Sequence, residues 1–231
     1  LLTALKFIEK PGKQALLLFA VVTFLASPMA YAPVLWYAYF AAFLLFLLTL
    51  CVIKRNKRIV TASFFLIATT LVVNAYWVLP NLYFLASAAN NVSLAQINKI
   101  FSDEAFLHNK QYGNILDTAL LRNFLFNWSE QLDVNTAQDL MIYWKTHLAS
   151  PFTVAIGYIV FILSAIGILL SIIKRNVLFA TLVPIFFLAL VMLMNMNPPF
   201  EVPFSYLRDN FPLFREGLRF PFTKFSLLLV F

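Results

Sequence analysis

The chain alternates long apolar runs with shorter polar segments. Five runs approach or exceed the roughly 20 residues that a helix needs to cross the hydrocarbon core of a bilayer. They are residues 14–32, 34–53, 59–79, 151–173 and 177–196, and a sixth run begins near Phe225. The pattern predicts an all-α fold, a polytopic transmembrane helix bundle with short extracytoplasmic helices between the spans.

The runs divide the chain into five parts. Residues 1–86 hold the first three predicted spans and residues 151–196 the next two, while residues 225–231 begin the sixth. Between them lie a first polar segment, residues 87–150, and a second polar segment, residues 197–224. We predict that both polar segments are extracytoplasmic, the first helical and the second interfacial or re-entrant.

Three short helices fit the first polar segment. Ser93 with Gln96 has the spacing of a capping box, as Thr136 has with Asp139, and Asn114 is a suitable N-cap for the apolar stretch that follows it. We therefore predict helices that open at Ser93, Asn114 and Thr136.

The second polar segment is too rich in proline for one long helix. Pro212 suits the first position of a one-turn helix that Gly217 ends, and Pro221 suits the start of the next helix. We predict broken helices and turns over residues 197–224.

Composition and charge refine this topology. The chain is 62% hydrophobic with a mean hydropathy of +0.84, which is typical of multi-pass membrane proteins. Before span one and after spans two and four there are nine Lys and Arg residues against Glu9 alone, whereas the other loops carry eight basic and nine acidic residues. Because basic residues in short loops stay inside, we predict an integral membrane protein whose first residues are cytoplasmic, and we attribute the net charge of +7 to topology rather than to nucleic-acid binding.

Several kinds of active site have no motif here. The sequence has no glycine-rich phosphate loop, no GxSxG and no HExxH, and its single cysteine, Cys51, lies in an apolar run. We interpret His108 and His147 as surface or interface residues, and the adjacent Asp103 and Glu104 as partners of a helix N-terminus. The predicted spans contain no Asp, Glu, Lys, Arg or His near their middle, which argues against an ion-coupled transporter.

The second polar segment ends in a basic cluster. Arg215, Arg219 and Lys224 lie within FPLFREGLRFPFTKF (211–225), shortly after Arg208. Such charge could anchor a span at lipid headgroups, but anchoring charge favours the cytoplasmic side. Guanidinium groups bind phosphate through two parallel hydrogen bonds, so we favour these four residues as ligands of a lipid phosphate.

Three stretches resemble a known superfamily: NAYWVLPNL (74–82), LLRNFLFNW (120–128) and NPPFEVPFSYLRDNFPLFREGLRFPFTKF (197–225). They resemble GT-C-type membrane glycosyltransferases, and more narrowly the YfhO-like and arabinofuranosyltransferase-like proteins. The resemblance implies transfer of a sugar from a polyprenyl-phosphate donor to a glycan, lipid or protein acceptor on the extracytoplasmic face.

The resemblance also implies an acidic residue in the first outer loop, which SPMAYAP (27–33) lacks. We therefore expect the chain to be a fragment whose catalytic acid lies upstream, with Asp209 and Glu216 as secondary candidates that orient the arginines. A divalent metal, Mg²⁺ or Mn²⁺, is compatible with the resemblance, although the sequence identifies no metal ligands and no cofactor. The alternative function is a non-catalytic or lipid-glycan translocating membrane protein.

Overall fold

The structure is a computed structural model that describes residues 1–27, 32–133, 136–174 and 176–230. These residues form helices and one two-stranded antiparallel hairpin. The helices of the first half are α1 (Leu2–Glu9), α2 (Lys13–Leu25), α3 (Pro33–Lys54), α4 (Lys57–Ser87), α5 (Ala89–Leu94), α6 (Gln96–Gln111) and α7 (Ile115–Ala119). The chain continues with a 3₁₀ turn (Phe124–Asn127) and the strands β1 (Ser129–Asp133) and β2 (Thr136–Asp139). The helices that follow are α8 (Ile142–Ala149), α9 (Pro151–Ile173), α10 (Val177–Ala180), α11 (Val183–Met194), α12 (Glu201–Asn210), α13 (Pro212–Gly217) and α14 (Phe222–Val230). The all-α prediction is confirmed.

Four helical segments within the described ranges are long and apolar enough to cross a membrane. They are Pro33–Lys54, Lys57–Ser87, Pro151–Ile173 and Val177–Met194, and they overlap four of the predicted spans. The predicted span 14–32 contains the shorter helix α2, and residues 28–31 lie outside the described residues. The start of the sixth predicted span lies in α14. Because α14 has nine residues, it is too short to test whether a span begins there.

Helix α9 displays the surface of a membrane span. Its best window has a mean hydropathy of 2.7, yet 6% of that window is buried inside the protein. Phe152 at its start and Ile173 at its end are 75% and 74% exposed. Because water disfavours so large an apolar surface and lipid tails accept it, the helices have the properties of a multi-pass membrane protein.

The described residues divide into two compact units. The first unit comprises Leu1–Val92 and Arg175–Ile185, and the second comprises Ser93–Lys174 and Phe186–Phe231. Phe46, Leu47 and Leu66 are at most 1% exposed in the core of the first unit, where α1, α2, α3 and α4 pack together.

A tight polar turn joins α3 to α4 in the first unit. Arg55 ends α3 in the left-handed conformation, with φ of 46°, and the Asn56 side chain accepts a hydrogen bond from the Arg58 backbone N–H at 2.8 Å. The Arg58 guanidinium donates to the Glu9 carbonyl at 3.0 Å, so this turn is also attached to α1. The sequence KRNKR therefore connects two adjacent membrane-length helices.

Polar groups within the long helices of the first unit have partners. Asn74 is fully buried; its amide donates to the Thr70 carbonyl at 2.9 Å, and its oxygen accepts from the Trp77 indole N–H at 3.0 Å. The Tyr37 hydroxyl donates to the Asn81 oxygen at 2.6 Å and ties α3 to α4. Buried polar groups are stable where they are paired in this way.

Two predicted helix starts in the first polar segment are wrong. A break at Ala95 precedes α6, so Ser93 lies inside α5 and not at the start of a helix. Thr136 begins β2, which pairs with β1 so that Ser129 lies opposite Asp139, and the next helix begins at Ile142. The third predicted start is confirmed: the Asn114 side chain caps α7 by accepting hydrogen bonds from the backbone N–H groups of Leu116 and Asp117. The helix α7 itself has only five residues.

A substitution at Gly113 is expected to destabilise the second unit. A Cβ there would lie 2.5 Å from the Asn197 amide nitrogen and 2.9 Å from the Asn109 carbonyl oxygen, closer than atoms tolerate. We expect Gly113→Ala to lower the free energy of unfolding by about 1–3 kcal/mol, measured by thermal unfolding in detergent. Gly167→Ala is the matched control, since among the described residues nothing outside its own helix backbone lies within 4 Å of a Cβ placed there; an equal effect of both substitutions would contradict the steric explanation.

Candidate functional site

The basic cluster lies on a broken helical segment of the second unit. Pro212 occupies the first position of α13, Gly217 ends it, and Pro221 directly precedes α14, as the sequence predicted. Arg215 is therefore in α13, Arg219 is in the turn after it, and Lys224 is in the first turn of α14. The local effects of proline and glycine on the backbone thus place three cations on one short segment, in which a turn separates two helices.

An aromatic core holds this stretch against α6. The Phe204 ring of α12 contacts the Phe106 ring of α6 at 6.3 Å between centroids and the Phe214 ring of α13 at 5.2 Å. Phe106 and Phe204 are 2% and 3% exposed. Burial of these rings fixes α12 and α13 on α6 and so orients the side chains on their other faces.

Glu216 is the centre of the cluster. Its side chain is 8% exposed, and its Oε1 accepts from the Arg215 Nε at 3.1 Å. Its Oε2 accepts from the hydroxyl of Ser102, a fully buried residue of α6, at 2.7 Å and pairs with the Arg219 Nη1 at 3.6 Å. One nearly buried carboxylate therefore holds two guanidinium groups and is itself held by α6.

The backbone of Arg219 is also attached to α6. The amide of Asn109, which is 1% exposed, donates to the Arg219 carbonyl at 2.8 Å. The side chains of Arg215 and Arg219 remain 23% and 27% exposed, so solvent or a ligand reaches both. The two guanidinium groups are positioned in advance of any ligand, which lowers the entropic cost of binding an anion.

Lys224 lies beside this pair. Its ammonium donates to the Phe220 carbonyl at 2.9 Å and lies 3.3 Å from the Thr223 hydroxyl oxygen. Burial, together with the positive charge of Arg219, lowers the pKa of Lys224 to about 8. An anion that approached Lys224 would relieve both effects by stabilising its charged form.

Arg208 belongs to a separate pair. Its Nε donates to the Asp209 carboxylate at 2.7 Å, and its guanidinium carbon lies 5.6 Å from the centroid of the Phe106 ring. That hydrogen bond holds the pKa of Asp209 below its ordinary value, and Arg215 adds to the effect. Of the four predicted phosphate ligands, the structure joins Arg215 and Arg219 through Glu216, sets Lys224 beside Arg219, and gives Arg208 its own carboxylate.

The contacts of the two acidic candidates favour an orienting role. Glu216 accepts from Arg215 and Ser102 and pairs with Arg219, and Asp209 pairs with Arg208. A general base needs an oxygen that is free to accept the proton of a substrate hydroxyl. Glu216 in particular holds the side chains of both Arg215 and Arg219, so its removal would release them.

A second arrangement in this unit involves His108, which the sequence suggested to be a surface or interface residue, and Glu104, which it suggested to be a partner of a helix N-terminus. Glu104 and His108 lie one helical turn apart on α6, with 3.8 Å between Glu104 Oε1 and His108 Nε2, and both line a cleft of about 420 Å³. The expectation that Asp103 and Glu104 lie at a helix start is wrong, since α6 begins at Gln96. The i, i+4 spacing of an acid and a histidine was the available sequence signal.

The described residues contain no group of three or more His, Cys, Asp or Glu side chains that could hold a metal ion. Comparisons of the chain with family models, with curated proteins and with solved structures find no match.

Proposed function

We propose that the protein is an integral membrane glycosyltransferase that moves a sugar from a polyprenyl-phosphate donor to a glycan, lipid or protein acceptor at the extracytoplasmic face. The observation that carries the proposal is the pair of arginines held on one nearly buried carboxylate, Glu216. The orientation of the chain is part of the proposal and rests on the distribution of basic residues between loops.

The chemistry of the reaction explains why such a pair would be useful. The acceptor oxygen bonds to the anomeric carbon as the bond from that carbon to the phosphate oxygen breaks. The hydroxyl proton passes to a general base, and the lipid phosphate leaves with the electron pair and one additional negative charge. Donors fixed where charge develops stabilise the transition state more than the ground state, and Arg215 and Arg219 are such donors.

The membrane setting supports a lipid-linked substrate. Arg215 lies in α13 and Arg219 between α13 and α14; α14 begins with Phe222 and, apart from Ser226, is apolar from Phe225 onward. A polyprenyl chain is apolar and a phosphate is anionic, so a donor of this class matches an apolar helix that follows a row of cations.

A donor-consumption assay tests the proposal. The purified full-length protein in nanodiscs is incubated with polyprenyl-phosphate donors that carry a radiolabelled sugar, together with a membrane extract as acceptor. We expect label in the acceptor and an equal amount of free polyprenyl phosphate. Movement of intact donor between leaflets without cleavage would contradict the proposal and favour translocation.

The pH dependence of donor binding should report the ionisation of the Lys224 ammonium group. With a pKa of about 8 in the free protein, Lys224 is charged below that pH and loses its proton above it. Because the ammonium form binds phosphate, we expect the affinity for a phosphodiester donor to be constant below about pH 8 and to fall as the pH rises through it. A diester is the appropriate probe since it does not titrate in this range.

The control for this pH profile is Lys224→Arg, whose guanidinium keeps its charge at every pH tested. Binding is measured by microscale thermophoresis between about pH 6.5 and about pH 9.5. The variant should show a flat profile. A fall in affinity that is equally steep in the variant would show that Lys224 is not the titrating group.

A further inference from the structure

We propose that the cleft beside α6 binds a sugar ring. The cleft of about 420 Å³ lies within the second unit, and its lining includes Glu104, His108, Gln111, Phe124, Asn127 and Trp128. Small-molecule sites in proteins have volumes of several hundred Å³ and combine apolar walls with a few convergent polar groups. The cleft has both the size and the mixed character of such a site.

Its apolar wall is built from aromatic rings in fixed positions. Phe124 is 3% exposed, and its ring stacks on the imidazole of His108 with 5.3 Å between centroids and an angle of 19°. The Trp128 ring lies 5.9 Å from that of Phe124. The face of a pyranose carries weakly positive C–H groups, which pack favourably on the negative face of an aromatic ring.

Its polar groups suit hydroxyls. The distance of 3.8 Å between Glu104 and His108 exceeds that of a hydrogen bond, so each retains capacity for a ligand. Their side chains are 59% and 41% exposed. The amides of Gln111 and Asn127, which also line the cleft, each offer donors and an acceptor. A sugar hydroxyl both donates and accepts, and therefore matches this set.

Other ligand classes fit less well. Among the described residues that line the cleft there is no Lys or Arg that could pair with a phosphate or another anion. In the part of the chain that the structure describes, no third acid, cysteine or histidine joins Glu104 and His108 to complete a metal site. A neutral polyhydroxyl ring remains the best match.

The cleft adjoins the arginine cluster. The Phe124 ring contacts the ring of Phe220, the residue after Arg219, with 5.9 Å between centroids. A sugar in the cleft would thus lie across a shared aromatic wall from the proposed phosphate site. Its assignment as the acceptor side rests on the proposed function, whereas binding of the sugar itself does not.

Saturation-transfer NMR on the purified full-length protein tests the inference, with methyl hexopyranosides as probes and cyclohexanol as an apolar ring of similar size. We expect saturable binding of at least one pyranoside, with transfer strongest to one face of the ring, and weaker or no binding of cyclohexanol. Trp128→Ala should weaken pyranoside binding about tenfold. Trp144→Ala is the matched control, since Trp144 is 56% exposed and does not line the cleft.

Glu104→Gln is a second variant, chosen because the Glu104 side chain is 59% exposed and its substitution should leave folding unchanged. It should weaken binding severalfold through loss of a charged acceptor. The inference is overturned if no pyranoside binds saturably or if cyclohexanol binds with the same affinity as the pyranosides. It is also overturned if Trp128→Ala and Trp144→Ala change the affinity for the pyranoside equally. No lipid donor is present in these experiments, so their failure is distinguishable from failure of the donor-consumption assay.

Discussion

Replacing Glu216 with alanine is expected to lower the free energy of unfolding by about 3 kcal/mol. The substitution leaves two guanidinium groups close together without their shared carboxylate, and it leaves the hydroxyl of the fully buried Ser102 without its acceptor. The partial exposure of Arg215 and Arg219 keeps the loss below that of a fully buried ion pair. Thermal unfolding of the purified protein in detergent measures the effect.

Glu201→Ala is the control for this experiment. Glu201 pairs with Lys110 at 2.9 Å, and these side chains are 40% and 58% exposed, so the pair should contribute about 0–1 kcal/mol. Glu216→Gln should give an intermediate loss, because the amide oxygen still accepts from Ser102 while the charge is gone. If Glu216→Ala and Glu201→Ala destabilise the protein equally, Glu216 is not the structural centre of the cluster.

Replacing Arg219 with alanine is expected to reduce sugar transfer by about 10²–10³-fold or more, since removal of one fixed donor to a developing charge has an effect of this size. Arg219 is attached to α6 through its backbone and to Glu216 through its side chain. The side chain can therefore be removed while the backbone contact remains. The measurement is the transfer rate from a polyprenyl-phosphate donor in membranes that contain the full-length protein, normalised to the amount of inserted protein.

Two variants sharpen this result. Arg219→Lys keeps the positive charge but cannot form bidentate hydrogen bonds with a phosphate, so the variant should retain a small part of the transfer activity. Lys110→Ala removes an exposed cation of the same unit and should leave the rate unchanged. Undiminished transfer by Arg219→Ala would contradict the role assigned to this arginine.

The helix breaks around the basic cluster could be predicted because they depend on local chemistry. Pro212 and Pro221 restrict their own backbone and remove a donor, and Gly217 tolerates a helix end, whatever surrounds them. The four helical segments that are long and apolar enough to cross a bilayer were predictable for a similar reason, since length and apolarity can be read directly from the sequence.

The short helices of the first polar segment depend on more than local pattern. Thr136 and Asp139 have capping-box spacing, yet β2 pairs with β1 and the hairpin satisfies the same backbone groups. At Ser93 the helix α5 already passes through the predicted cap position. A two-residue pattern is too weak to outweigh such pairing or the continuation of a neighbouring helix.

The contacts that organise the candidate site could not be read from the sequence. The hydrogen bond from Ser102 to Glu216 joins residues 114 positions apart, and the amide of Asn109 reaches Arg219 across 110 positions. The basic residues and Glu216 formed a recognisable sequence pattern, but the sequence did not show that α6 contacts them. The same holds for the cleft, where α6 and the 3₁₀ turn at Phe124 bring together residues without a shared motif.

Native mass spectrometry tests the central claim most directly, namely that Arg215 and Arg219 hold the phosphate of a polyprenyl lipid. The full-length protein in detergent is equilibrated with equal amounts of polyprenyl phosphate and the uncharged polyprenol of the same chain length. The wild type should retain the phosphate in clear preference to the alcohol, and the double substitution Arg215→Gln and Arg219→Gln should remove that preference. Equal retention of the two lipids by the wild type, or an unchanged preference in the double variant, would contradict the account.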